Sequence, residues 1–253
     1  MKIVKVPYGK GGLGKTEGTE KAPEKILEEL ERIYINENEK EISYETDTIE
    51  IKETLSETHK IIQDYKGSGI FIGGDHSLTY SAFRGFKHEN TGLIVFDAHP
   101  DLMEGTDMPT HEDYLRKLIQ EGHVNPGNVI LVGLRNIHPH EKEYMQQNKI
   151  NYFTCKSIYK NGIHNIADNV MAKAKSWSQI YISIDIDVLD PSVAPGTVHS
   201  EPGGISLREL LYFLQRLRFL KKIYSADVVE VCPEVDVNNI TSRAAAKIIG
   251  ELL

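Results

Sequence analysis

Acidic and imidazole side chains directly follow several apolar runs of this 253-residue chain, where predicted strands end. Such groups bind metal ions or carry protons, and in a dry site they repel one another unless a cation compensates their charge. Ligand sites in parallel sheets form at the carboxyl ends of the strands, so we expect these groups to converge. They are Asp75 and His76; Asp97, His99 and Asp101; Asp185, Asp187 and Asp190; and Asp227 and Glu230.

Two of these segments predict side chains that act together. In DAHPD an extended backbone would place Asp97, His99 and Asp101 on one side, and in SIDIDV it would do the same for Asp185 and Asp187. Single aspartates at strand ends are usually helix caps, but caps do not account for so many ligand-type groups. The set is rich in oxygen and has no thiolate, which suits manganese, with iron, cobalt, nickel or zinc as substitutes. Because it exceeds the needs of one ion, we expect a two-metal site that generates a nucleophile.

Short apolar runs alternate with longer amphipathic runs, which predicts a parallel α/β sheet covered by helices on both faces. The predicted strands are KIVKV, SGIFIGG, GLIVFDA, NVILVGL, NYFTC, QIYISIDID and YSADVVEV. Helices are expected in APEKILEELERI, TLSETHKIIQDY, EDYLRKLIQEG, HNIADNVMAKAKS, SLRELLYFLQRLRFL and TSRAAAKIIGELL. No linker or internal repeat interrupts the pattern, so residues 1–253 are interpreted as a single domain.

The composition argues against some classes of partner. The chain has 37 acidic and 29 basic residues, a net charge of −8 and no basic block, which disfavours nucleic acid and anionic membranes. The first apolar stretch is too short for a signal peptide, and no later run reaches membrane-spanning length. Two cysteines, Cys155 and Cys232, do not make a disulfide framework, so we expect a cytoplasmic protein.

Residues 9–16, GKGGLGKT, match the phosphate-binding loop of nucleotide hydrolases and raise a competing interpretation. Such a loop must lead directly into a helix, whose N-terminus holds the phosphate. Gly18 is unfavourable in a first helical turn and Pro23 prevents a helix from running through it, so we expect a helix to begin at Pro23. We therefore interpret residues 9–16 as a flexible glycine loop over the rim of the sheet, with an ATPase as the distant alternative.

Three motifs, GGDHS, FDAHPD and SIDIDVLDPSVAPGTVHSEPGG, resemble the signatures of the ureohydrolase family, which includes arginases and agmatinases. The phrases GLRNIHPHE, ADVVEVCP and TSRAAAKIIGELL also fit, so the resemblance covers nearly the whole chain. It implies a three-layer αβα fold around a parallel sheet and two Mn²⁺ ions per chain. It also implies homo-oligomers, trimers or hexamers, and the hydrolysis of a linear guanidino compound to urea and an amine.

Carried over by position, the resemblance implies a role for each site residue. Glu230 would pair with the substrate guanidinium, His111 would shuttle a proton, and Asp101 is counted with them as catalytic. The alternative is that His111 lies near solvent at the start of a helix and carries no proton in the reaction. Asp75, Asp190 and Asp227 would orient ligands through hydrogen bonds. One ion would be held by His76, Asp97, Asp101 and Asp185, and the other by Asp97, His99, Asp185 and Asp187, with Asp97 and Asp185 bridging.

The sequence determines the part of the substrate beyond the guanidinium group least of all. Asn136 and His138 occupy positions where arginases usually have acidic residues that bind the α-amine of the substrate. Both are candidate substrate-binding residues. His138 and His199 either line the pocket or serve as capping or surface groups. The loop LMEGTDMPTHED has no lysine or arginine, and an acidic mouth repels a substrate carboxylate. We therefore predict a cationic guanidine such as agmatine, with L-arginine and then formiminoglutamate as alternatives. The acids of this loop are Glu104, Asp107, Glu112 and Asp113.

Overall fold

The computed structural model describes residues 1–86, 89–105 and 107–253. Its centre is an eight-stranded sheet in which every pair of neighbouring strands is parallel. The strands lie across the sheet in the order β2-β1-β3-β8-β7-β4-β5-β6. In chain order they are β1 (Lys2–Lys5), β2 (Thr46–Thr48), β3 (Gly69–Ile72), β4 (Thr91–Phe96), β5 (Val129–Leu134), β6 (Asn151–Thr154), β7 (Gln179–Asp185) and β8 (Ile223–Val229).

Helices cover both faces of the sheet and make a three-layer αβα arrangement. One apolar core lies between the sheet and the helices α1, α6, α7, α8 and α9. The other lies between the opposite face and the helices α2, α3, α4 and α5. The predicted doubly wound α/β fold is therefore confirmed. The helices are α1 (Ala22–Leu30), α2 (Leu55–Asp64), α3 (Leu78–Arg84), α4 (Tyr114–Gln120), α5 (Pro139–Gln147), α6 (Cys155–Asn161), α7 (Ile163–Ala174), α8 (Leu207–Arg218) and α9 (Ile240–Leu252).

Strand β7 illustrates why the central strands read as nearly continuous apolar runs. Ile180, Ile182 and Ile184 pack into one core, whereas Tyr181 packs into the core on the other face. A strand that is buried on both faces needs apolar residues at odd and even positions alike. Ser183 shares the face of Tyr181, so its hydroxyl is buried beneath the strand ends.

Four elements, β2, α3, α5 and α6, are not among the strands and helices predicted from the sequence. Strand β2 is short, polar and largely exposed at the sheet edge, where its pairing with β1 outweighs the weak strand propensity of Thr-Asp-Thr. Helix α3 is buried on all sides from Leu78 to Phe83, so it has no polar face to produce a helical period.

The segment 9–16 packs against the protein only in part, since Lys10, Leu13, Gly14 and Lys15 are exposed. Lys10–Gly12 form a 3-10 turn in which Gly11 and Gly12 are buried. A Cβ built on Gly11 would lie 2.1 Å from Oγ of Ser77, so only glycine fits this approach. Helix α1 begins at Ala22, with Pro23 in its first turn, so no helix continues from Thr16 as a phosphate loop requires.

Cys155 and Cys232 are both free thiols. Cys232 is buried, and its Sγ lies 3.4 Å from the carbonyl oxygen of Glu17. Every helix among the described residues is either too short or too polar to span a bilayer.

Candidate metal centre and substrate cavity

The predicted site residues gather at the carboxyl ends of five neighbouring strands. His76 follows β3, Glu230 follows β8, Asp185 ends β7 and Asp97 follows β4. These four strands are adjacent in the sheet, and β5, which leads to Asn136, lies next to β4. The crossover connections therefore bring residues more than 150 positions apart in sequence to one edge, as expected for a parallel sheet.

The first cluster centres on the imidazole of His76. Its Nδ1 lies 3.0 Å from Oδ2 of Asp101, 3.2 Å from Oδ2 of Asp97 and 3.3 Å from Oδ2 of Asp185. All four side chains are buried or nearly so. One nitrogen and three carboxylate oxygens thus face a common point.

A second cluster adjoins the first and shares Asp97 with it. Nδ1 of His99 lies 2.9 Å from Oδ2 of Asp187 and 3.6 Å from Oδ1 of Asp97. The two oxygens of Asp97 therefore face different clusters, Oδ2 toward His76 and Oδ1 toward His99. This is the arrangement that a carboxylate bridging two ions requires.

The chemistry of these donors fits divalent cations. Nδ1 of His76 and Oδ2 of Asp97 are buried without a hydrogen-bond partner among the described residues, although they face each other. Burial, reinforced by the charges of Asp187 and Asp97, raises the pKa of Asp185 well above its ordinary value. Ionising such a cluster in a buried site is costly without a cation, and carboxylate and imidazole donors suit manganese and its neighbours.

The local backbone differs from the extended segments that the sequence predicts. Strand β4 ends at Phe96, and Oδ1 of Asp97 accepts the N–H of His99 in a tight turn. Asp101 adopts a left-handed backbone with φ of 52°. Asp185 likewise accepts the N–H of Asp187 at 2.8 Å and caps a 3-10 turn. Aspartate favours such turns because its carboxylate competes for nearby N–H groups, and the side chains converge through these turns instead.

The three aspartates expected to orient ligands have different contacts. Asp227 accepts a hydrogen bond from Ser183 at 2.7 Å, and Oγ of Ser183 lies 2.9 Å from Nε2 of His76. Asp75 instead accepts the N–H of Gly11 at 2.8 Å and supports the segment 9–16. Asp190 accepts hydrogen bonds from Ser192 and from the backbone N–H groups of residues 203–204. These hydrogen bonds stabilise a loop, and none of them involves a candidate metal ligand.

A cavity of about 270 Å³ opens in front of both clusters. Among its walls are the candidate ligands together with the residues predicted to bind substrate, and no lysine or arginine of the described residues lines it. Its lining consists of His76, His99, Asp101, Met103, His111, Glu112, Asn136, His138, Glu141, Asp185, Asp187, Thr197, His199 and Glu230.

Glu230 and His111 face each other across this cavity. Oε1 of Glu230 accepts the N–H of His76 at 2.8 Å and lies 3.8 Å from Nδ1 of His111. Burial, with the charges of Asp185 and Asp75, raises the pKa of Glu230 well above its ordinary value. Burial lowers the pKa of His111 to about 4, so this imidazole is neutral at physiological pH. His111 is buried, which makes the solvent-facing alternative wrong.

The remaining candidates form the outer wall. His138 caps α5, where its Nδ1 accepts the N–H of His140 at 3.3 Å, and it also lines the cavity. The ring centroid of His199 lies 5.1 Å from that of His111. Nδ2 of Asn136 donates to Oε1 of Glu201 at 2.5 Å.

The acidic mouth predicted from LMEGTDMPTHED is only partly present. Glu104 pairs with Arg116 at 3.1 Å, and Asp113 is buried, where it accepts the N–H of Thr110. Of the four acids in this loop, Glu112 alone lines the cavity. The loop has no cation of its own, but folding brings Lys15 to Glu112 at 2.6 Å.

Sequence reasoning missed several groups that support the centre. Ser183 lies two positions before Asp185 on the same strand face, so the alternation of β7 could have revealed it. Tyr114 places its hydroxyl 3.0 Å from Nε2 of His76, and only the tertiary packing of α4 brings it there. Oε1 of Glu201, in the segment SEPGG, lies 3.6 Å from Nε2 of His99.

Comparison with known proteins identifies the family. The model of the arginase family matches residues 1–253. The chain belongs to the arginase family. This agrees with the resemblance of its three motifs to ureohydrolases.

Individual relatives of this arginase-family protein carry different names. It is 33% identical over 198 residues to an arginase of Staphylococcus aureus, covering 72% of this chain and 66% of the relative. It is 34% identical over 206 residues to a formimidoylglutamase of Halalkalibacterium halodurans, covering 79% of this chain and 64% of the relative. The chain therefore spans slightly less than two thirds of these curated relatives. The crystal structure of Bacillus subtilis formimidoylglutamase superimposes with a TM-score of 0.91 at 26% identity, covering 99% of this chain and 85% of that one.

Proposed function

We propose that this protein hydrolyses a linear guanidino compound to urea and an amine, using two divalent metal ions. The observation that carries the proposal is the pair of donor clusters that share Asp97 and open into a cavity containing Glu230. An amidine-cleaving enzyme needs both a metal-activated nucleophile and a carboxylate for the guanidinium, and this cavity offers groups for each.

The proposed ligands follow the two clusters, and manganese is the proposed metal because the donors are oxygen-rich and include two imidazoles. Two ions held in this way would supply a nucleophile at neutral pH for attack on the guanidinium carbon. The first ion would be bound by His76, Asp97, Asp101 and Asp185, and the second by Asp97, His99, Asp185 and Asp187.

Glu230 is proposed to bind the guanidinium. Its carboxylate is buried, and among residues 1–86, 89–105 and 107–253 the one basic side chain in its hydrogen bonds and ion pairs is that of His111, at 3.8 Å. A planar cation that donates two parallel N–H groups would compensate this charge and hold the reacting carbon in one orientation. Burial favours the protonated form of Glu230, whereas the bound cationic substrate would favour the ionised carboxylate.

His111 is proposed to carry a proton to the departing amine. Its Nε2 is buried without a hydrogen-bond partner among the described residues, and its ring is neutral at physiological pH. A neutral imidazole can accept a proton released near Asp101 and Glu230 and pass it to the amine nitrogen as the C–N bond breaks.

The proposed substrate is a cationic guanidine of the agmatine type. In the part of the chain that the structure describes, the cavity lining contains several carboxylates and no lysine or arginine, which disfavours a tail that ends in a carboxylate. Asn136 and His138 line the cavity. The resemblance to arginases implies that their positions would serve an α-amine in an arginine substrate, and neither residue is acidic. L-Arginine, and the substrate of the formimidoylglutamase relatives, are the alternatives that the experiment must separate.

The test is urea release from agmatine, L-arginine and 4-guanidinobutyrate, side by side with added manganese. We expect the highest kcat/KM for agmatine. Glu230→Gln should lower kcat/KM by about a hundredfold or more, because the amide cannot compensate the guanidinium charge. Glu209→Gln, a remote helix-capping carboxylate, is the matched control. A higher kcat/KM for L-arginine would replace the agmatinase assignment by an arginase.

We also propose that the protein forms homo-oligomers, trimers or hexamers, and acts in the cytoplasm. The support for oligomers is membership of the family. Light scattering of the purified protein tests this, and a stable monomer would contradict it without affecting the proposed chemistry.

A further inference from the structure

An ion pair stands at the rim of the cavity and is not used by the proposed reaction. Nζ of Lys15 lies 2.6 Å from Oε1 of Glu112, and the two side chains are 51% and 39% exposed. Partial burial raises the pKa of Glu112 and the hydrogen bond from Lys15 lowers it, with a net downward shift, so the carboxylate is ionised. Glu112 lines the cavity, whereas Lys15 does not.

The carboxylate of Glu112 is aligned with the proposed guanidinium site. His111 lies between the two carboxylates, with Nδ1 3.8 Å from Oε1 of Glu230 and Nε2 3.7 Å from Oε1 of Glu112. The two carboxylates are therefore separated by the width of one imidazole ring and a contact distance on each side of it. This spacing suits the two cationic ends of a short, flexible molecule. The inner carboxylate is buried and the outer one is partly exposed, which is the order expected along an entry path.

The segment 9–16 keeps the ammonium of Lys15 at this position. The N–H of Gly11 donates to Asp75 at 2.8 Å, and the carbonyl oxygen of Gly11 accepts the N–H of His111 at 3.2 Å. The N–H of Lys15 closes a turn on the carbonyl oxygen of Gly12 at 2.8 Å. The backbone that carries Lys15 is thus attached to the backbone that carries His111 and Glu112, while the lysine side chain itself remains free to rotate into solvent.

We propose that Glu112 binds the terminal ammonium of a dicationic substrate, and that Lys15 occupies this ammonium position in the free protein. Binding then exchanges one ammonium for another on the same carboxylate. This inference rests on the proposed function, since it assigns the tail of the same substrate. Because Lys15 is tethered, it competes at a high effective concentration with a cationic tail for Glu112, whereas an uncharged tail leaves the ion pair in place.

The two partners of the ion pair should therefore have opposite effects on specificity. The measurement is the ratio of kcat/KM for agmatine to that for butylguanidine, which has the same guanidinium but an uncharged tail. Glu112→Gln should lower this ratio about fivefold, the effect of a partly exposed ion pair. Lys15→Met should raise it, because Glu112 loses its internal competitor. Glu234→Gln, which removes the carboxylate partner of Lys21 outside the cavity, is the matched control.

Equilibrium binding of 1,4-diaminobutane and butylamine to the manganese-loaded protein gives a readout that does not depend on turnover. Glu112→Gln should weaken diaminobutane binding about fivefold relative to butylamine, and Lys15→Met should strengthen it. If both variants shift either measurement in the same direction, or neither does, the ion pair has only a structural role and the inference is wrong. Failure to release urea from any guanidine would instead contradict the proposed function, while Glu112-dependent diamine binding would still support the ammonium site.

Discussion

Oγ of Ser183 lies 2.9 Å from Nε2 of His76. The hydroxyl of Ser183 donates its own proton to Asp227 at 2.7 Å, so it can only accept from the imidazole. The Nε2 of His76 must then carry the hydrogen, which leaves a lone pair on Nδ1, the atom that faces three carboxylates. A buried chain from Asp227 through Ser183 thus selects the imidazole tautomer that can bind a metal ion.

Replacing Ser183 should weaken metal binding more than it weakens the fold. Ser183→Ala removes one donor to Asp227 and one of the two hydroxyls near Nε2 of His76. The tautomer and orientation of the imidazole then depend on Tyr114 and are less firmly fixed. We expect the affinity for one of two manganese ions to fall about tenfold or more. Titration of the metal-free protein with manganese measures this, with Ser176→Ala on the surface as the control. Unchanged affinity for both ions would contradict the role of Ser183.

The second prediction concerns the number of ions and the role of Asp185. The wild-type protein should bind about two manganese ions per chain and unfold at a higher temperature with them than without, because the ions compensate buried carboxylates. Asp185→Asn keeps an oxygen that can accept the N–H of Asp187 but removes the charge, so both ions should bind more weakly. Elemental analysis and thermal unfolding measure this. Asp168→Asn, in a surface ion pair, is the control, and one ion per wild-type chain would refute the two-metal site.

Two glycines of the segment 9–16 should respond differently to alanine. A Cβ on Gly11 would lie 2.1 Å from Ser77 and 2.6 Å from Asp75, so Gly11→Ala must displace the segment and with it the support of His111. Gly14 has open space but a φ of 72°, so Gly14→Ala should cost only about 1 kcal/mol of stability. Urea release should fall sharply in Gly11→Ala and little in Gly14→Ala. Magnesium-dependent phosphate release from ATP by the wild type would revive the nucleotide-binding interpretation.

Acid should destabilise the protein through His59, a buried histidine in the core below β1 and β3. Burial, with the charge of Arg84, lowers the pKa of His59 to about 4, and Nδ1 of this ring lies 2.7 Å from Oγ of Ser81. Above pH 6.5 the ring is neutral in both states and its contribution is complete. As the pH falls from 6.5 to 4 the unfolded chain binds the proton first, so the free energy of unfolding falls, by up to about 3 kcal/mol.

The measurement for His59 is denaturant unfolding across this pH range. In His59→Gln the amide does not titrate, so the decrease in the free energy of unfolding between pH 6.5 and pH 4 should be smaller than in the wild type. His123→Gln, whose ring is about a third exposed beside Glu121, is the control and should keep the wild-type slope. Equal slopes in the wild type and His59→Gln would contradict the assignment.

Much of the fold could be predicted because the central strands leave a strong local signal. A strand such as Gln179–Asp185 is buried on both faces for most of its length, so most of its residues are apolar and it ends at a charged group. Strand Thr46–Thr48 leaves no such signal, because it is polar and its stability comes from pairing with Lys2–Lys5. The helix Leu78–Arg84 is likewise set by its surroundings, since it is buried on every side.

The sequence by itself determined which chemical groups this protein can bring to a site, because parallel strands all deliver the residues at their carboxyl ends to one edge. His76, Asp97 and Asp185 could be grouped on that basis without coordinates. Only the tertiary structure decided how they meet, since the aspartates turn the backbone through hydrogen bonds to their own neighbours rather than extending it. It also decided that Lys15 pairs with Glu112 across 97 positions, because an ion pair depends on distance in space, which no local pattern of residues encodes.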